Sequence, residues 1–139
     1  MKTSTLTFLL VPLVTASFLC SYFLELTMSN AEQYLGLIAV VFIDGLFGII
    51  AGAKREGFQT RKAVRVLQRA VSWAMFLTVI LMVEKGFKGT AWLSEAVIIP
   101  FIILQLISAL KNASMAGFIK TEELNKILDR IDNHKGFRK

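Results

Sequence analysis

The sequence predicts an all-α membrane protein with about four transmembrane helices and a short amphipathic helix in a cytoplasmic tail. Three observations carry this. The chain of 139 residues is 55% hydrophobic and only 19% charged, with a mean hydropathy of +0.60. Its apolar residues are gathered into blocks, four of which approach the ~20 residues that cross a hydrocarbon core. The cations flank those blocks, as membrane topology places them, so the net charge of +6 is no sign of a nucleic-acid surface. The length leaves room for a transmembrane domain over residues 1–110 and a tail over 111–139, with no separate catalytic domain.

The first span is expected over 5–26. Its apolar run is too long for the core of a cleaved signal peptide, so it is taken as retained. Cys20, the single cysteine, lies inside it, and no disulfide framework is possible. The second span, 34–53, carries Asp44 near its middle. The third, 64–83, begins with basic turns, and the fourth, 92–110, ends with Gln105 and Ser108. Pro12 and Pro100 fall inside spans one and four, where each removes a backbone hydrogen bond. In the tail, Thr121 is placed to cap a helix whose Leu124, Ile127, Leu128 and Ile131 form an apolar stripe. That stripe is expected to dock on the membrane surface or on a neighbouring subunit.

Charge sets the expected orientation. Lys2, the segment from Lys54 to Arg69 and the tail are rich in Lys and Arg, whereas the opposite side has only Lys85 and Lys88. The positive-inside rule then makes both termini cytoplasmic. Tyr22, Tyr34 and Trp92 are expected as an aromatic belt at the outer interface. Lys54, Arg55, Arg61, Lys62, Arg65 and Arg69 are expected to anchor on anionic headgroups of the inner leaflet. Arg61, Arg65 and Arg69 recur every four residues as a stripe. A sharper reading puts Arg65 or Arg69 at a cytoplasmic pore mouth.

Asp44 is the unusual residue. A charge near the bilayer midplane costs about 2.5–3.5 kcal/mol on insertion scales. It is tolerated when protonated, paired, hydrogen-bonded or facing water. Gly45, Gly48, Ala51 and Gly52 share its side of the helix, and Gly48-x-x-x-Gly52 permits close helix contact. Asp44 is therefore expected to face another helix or a cavity. Counted from the edge of span three, Arg69 lies shallower than Asp44, so it is expected to reach outward to headgroups. Ser72 and the indole N–H of Trp73 lie nearer its depth; copies of Asp44 itself, or water, are further partners. Asp44 is then either a hydrogen-bonded packing residue or one that lines a pore or controls assembly. Gln105 and Ser108 can hydrogen-bond between helices in the same way.

No nucleophile–base pair, phosphate loop or dinucleotide fingerprint is present, and His134 has no partners at metal spacing. Neither enzyme activity nor a metal or other cofactor is expected.

Two stretches together resemble the phage holin and toxin-secretion holin family. In "IDGLFGIIAGAKREGFQTRKAVR" the resemblance rests on Asp44, Gly45, Gly48, Ala51, Gly52 and Lys54, and in "LQLISALKNASMAGFIKTEELNKIL" on Ser108, Asn112 and Gly117. The sequence departs from the family pattern at Gln105, where an acid is usual, at Lys111, and at Lys120 in place of a Pro. The resemblance spans residues 40–131. It implies a small multi-pass protein of the bacterial inner membrane that oligomerises and opens lesions at a set time. Through these a lytic enzyme or a toxin leaves the cytoplasm, with phage or secretion-system proteins as possible partners. Two other classes fit the residues: a scaffold subunit that docks a cytoplasmic partner through its basic side and tail, and a small oligomeric ion channel using Asp44.

Overall fold

The computed structural model describes residues 2–57 and 59–134, with side chains from Leu10 onward. It is all-α, with no strand among the described residues. Helix α1 spans Lys2–Ser29, α2 Ala31–Glu56, α3 Thr60–Gly86, α4 Leu93–Met115 and α5 Thr121–His134; a 3₁₀ turn, Lys88–Thr90, precedes α4. Four helices are long and apolar enough to cross a membrane, and the chain is a multi-pass membrane protein.

The helices outrun the expected spans because a backbone can stay helical beyond the hydrocarbon, where polar side chains are wetted. Their reversals are short. Asn30 alone separates α1 from α2 and donates its Nδ2 to the Leu26 carbonyl at 2.8 Å. Gly57 ends α2 at φ 79°, a conformation that side chains disfavour, and its N–H donates to the Ala53 carbonyl at 3.1 Å. At the far end, Glu84 Oε1 accepts the Ser94 N–H at 2.6 Å and so satisfies an open donor in the first turn of α4. The end of α4 is a Schellman motif. Phe118 N–H donates to Ala113 O at 2.9 Å and Gly117 N–H to Ser114 O at 3.0 Å, with Gly117 at φ 85°.

Antiparallel α2 and α3 form a hairpin. Tyr34 Oη meets Thr78 Oγ1 at 2.7 Å at one end, and Lys62 lies over Gly52 at the other. Helix α4 runs parallel to α2 and packs against it along its length. Its first turns share a groove with Glu32 and Gly36, and Lys54 donates to the Ala116 carbonyl at its last turn. The core joins Leu37 and Val41 of α2, Leu77 and Ile80 of α3, and Ile98 and Phe101 of α4. Trp73 stacks on Phe101 with ring centroids 3.5 Å apart. Helix α1 joins at its C-terminal end, where Leu26 is buried, Glu25 meets Lys85 at 3.8 Å, and Lys85 lies over the Tyr22 ring. The outside is apolar: Phe18, Leu24, Leu35, Leu46, Leu67, Met75 and Leu104 are all exposed. That surface suits lipid as solvent.

Three expectations are corrected here. Tyr34 points into the bundle and not to an interfacial belt, because its hydroxyl finds Thr78. Thr121 is the first residue of α5, with Lys120 O accepting the Leu124 N–H, so Thr121 does not stand before the helix as its cap. The tail's apolar stripe is met in part by the chain itself: Leu124 is buried, and Ile127 and Ile131 line a groove with Ile103 of α4.

Candidate functional site

Asp44 is 4% exposed in the centre of the α2–α3–α4 bundle. Both carboxylate oxygens are taken. Asn112 Nδ2 of α4 donates to Oδ1 at 2.9 Å, and Arg69 Nη1 of α3 donates to Oδ2 at 3.3 Å. One acid thus ties three helices together. This answers the cost of burying it, since a buried carboxylate is tolerable when paired and hydrogen-bonded.

The hairpin explains why Arg69 arrives there. Helices α2 and α3 reverse at Gly57, and Asp44 and Arg69 lie about equally far from that reversal at the common helical rise. The expectation that Arg69 reaches outward to headgroups is therefore corrected. Depth counted from the edge of the apolar block misjudged it, because helix α3 begins at Thr60 rather than at residue 64. Arg69 keeps a half-exposed side chain, so it spans from the buried acid to the surface. Ser72, expected nearer Asp44, is exposed, and Trp73 packs on Phe101 instead of reaching the acid.

The glycines do lie at helix contacts, within this one chain. A Cβ on Gly45 would overlap the Val66 side chain, one on Gly48 would stand 3.3 Å from the Asn112 amide, and one on Gly52 would stand 2.7 Å from Lys62 Nζ. The small residues at 45 and 48 thus let α3 approach and let Asn112 reach across to Asp44.

The buried Asp44 lines a cleft of about 310 Å³. Lys62, Arg65 and Arg69 line one wall, Gly45, Gly48 and Ile49 another, and Ser108 and Asn112 the third. The Arg61–Arg65–Arg69 stripe is therefore redrawn: it is Lys62 that joins Arg65 and Arg69 at the cleft, where it also pairs with Glu56 at 3.2 Å. Arg55 and Arg61 are exposed outside it. Lys54 points back to the α4 carboxyl end, where a cation is favoured by the helix dipole. Gln105 is half-buried on α4, and its Oε1 finds no donor among the described residues. Nor do those residues hold a cluster of His, Cys, Asp or Glu fit for a metal.

Asn112 is the site residue that reasoning from Asp44 alone overlooked. The signal was there: Gln105, Ser108 and Asn112 are spaced by three and four residues on one face of α4, so the polar face already noted runs one turn further.

Comparisons with known proteins agree with this architecture. No solved structure matches the chain. A protein of Clostridium perfringens described as an uncharacterized 14.9 kDa protein in the nagH 3′ region is 26% identical over 100 residues, which cover 71% of this chain and 76% of that one. A family model described as the bacteriophage holin family matches residues 22–133. That match takes in the Asp44 helix, both helices that supply its partners, and α5. With most of its length and its whole polar centre inside that match, the chain belongs to the bacteriophage holin family.

Proposed function

We propose that this holin-like protein assembles with its own copies in the bacterial cytoplasmic membrane and opens a lesion through which a lytic enzyme or toxin leaves. Both termini would be cytoplasmic, with Lys54, Arg55, Arg61 and the cleft cations on the inner leaflet. The observation that carries the reading is the buried Asp44 bound at once by Arg69 and Asn112. A polar centre of that kind is an expensive thing to place in a lipid-solvated bundle, and intramembrane ionisable groups mark functional positions. In the closed protomer Asp44 fastens α2, α3 and α4. When helices separate during assembly, Asp44, Arg69, Asn112 and Ser108 become groups that require water. They then favour a wet interface over a dry one.

The test is controlled expression in a bacterium, following membrane potential and the escape of a folded cytoplasmic reporter enzyme together. Abrupt depolarisation with reporter escape is the expected result. Depolarisation without escape would replace the lesion by a small channel. If neither occurred with the protein in the membrane, a scaffold role would replace both.

A further inference from the structure

Arg65 lines the cleft and has no carboxylate partner among the described residues. Lys62, Arg65 and Arg69 are spaced by three and four residues, so they share one face of α3 and converge on the same opening. The acids nearby leave an excess of positive charge. Asp44 is already engaged by Arg69 and Asn112, and Glu56 engages Lys62 from an exposed position. A guanidinium has five N–H donors, of which Arg69 spends one on Asp44. Of the remaining lining, Gly45, Gly48, Ile49 and Val66 offer apolar surface or bare backbone, and Ser108 and Asn112 add polar groups on the third side. A small soluble anion gains nothing from the apolar part. A phosphate that carries a glycerol and the first methylenes of acyl chains buries apolar surface against it. The cleft volume, about 310 Å³, suits a headgroup rather than a macromolecule, and exposed apolar side chains such as Leu46 and Leu67 lie on α2 and α3.

We infer that this cleft is a stoichiometric site for the phosphate of an anionic phospholipid. Lys62 and Arg65 hold the phosphate, and Arg69 is shared between it and Asp44. This goes beyond diffuse attraction of a basic surface to a membrane, since it assigns one headgroup to one place. It requires neither a lesion nor a particular orientation, so its failure and the failure of the proposed function are separate results.

The experiment is thermal melting of the purified full-length protein in a neutral detergent, with phosphatidylglycerol, phosphatidylcholine or inorganic phosphate added in turn. Phosphatidylglycerol is expected to raise the melting midpoint saturably, and phosphatidylcholine is not. Arg65→Gln should move half-saturation up about fivefold, and Lys62→Gln with Arg65→Gln about 25-fold, from the usual worth of one cation at an anionic membrane surface. Lys120→Gln removes the same charge from an exposed position outside the cleft and should move it less than about twofold. An equal effect of Lys120→Gln and Arg65→Gln would mean diffuse charge and overturn the site. The same saturable rise with inorganic phosphate would make it a site for a soluble anion and overturn the lipid assignment. No saturable rise with phosphatidylglycerol would also overturn it.

Discussion

At the residue scale, everything turns on how Asp44 is satisfied. Arg69→Gln leaves the carboxylate with Asn112 alone, and Asn112→Ala leaves it with Arg69 alone. A double-mutant cycle between Asp44→Asn and Arg69→Gln, read by SDS unfolding in mixed micelles, should give a coupling of about 1–2 kcal/mol. A coupling near zero would mean that the contact is incidental. The glycines can be separated by what their neighbours allow. Gly45→Ala drives a methyl into Val66 and should cost about 1–3 kcal/mol. Gly36→Ala, where nothing lies within 4 Å, should be neutral or slightly stabilising in the same assay. Asp44 and its glycine face were legible in the sequence, because a charge in an apolar block admits few explanations and helical spacing gives its side. Its partners were not, because Arg69 comes from the register of a hairpin and Asn112 from a helix 68 positions away. Neither register is written in local periodicity.

At the element scale, the helices were legible from block length and hydropathy, and their ends were not. Apolar blocks measure the hydrocarbon core, whereas helix ends are set by caps and turns: Asn30, Gly57, the Glu84–Ser94 bond, and Gly117. Gly117 is the sharpest case. Its positive φ closes α4, presents Ala116 O to Lys54, and turns the chain so that Phe118 meets Phe47 with ring centroids 5.6 Å apart. Gly117→Ala should destabilise the bundle by about 1–2 kcal/mol, the cost of a left-handed conformation with a side chain, measured by the same unfolding assay. The amphipathic character of α5 was also legible. That it folds back along its own α4 follows from this turn, which amphipathicity does not encode.

At the scale of the whole molecule, the charge asymmetry makes a topological prediction. In a Cys20→Ser background, Gly89→Cys should react with a membrane-impermeant thiol reagent applied to intact bacteria, and Gln59→Cys should react only after the membrane is opened. The reverse pattern would invert the orientation. Removal of α5 after Lys120 leaves the α2–α3–α4 bundle and its Asp44 centre in place. Such a protein should still insert and release the reporter with an altered onset; complete loss of release in the presence of normal insertion would point to a docking role for the tail.

The central claim is that the Asp44 centre restrains the protomer until it assembles, and the onset of reporter escape tests it most directly. Arg69→Gln and the unaltered protein would be compared at matched amounts in the membrane, since onset depends on accumulation. An earlier onset for Arg69→Gln with the same final extent of escape is the predicted result. An unchanged onset, with the substituted protein inserted and folded, would contradict the claim and leave Asp44 as a packing residue only.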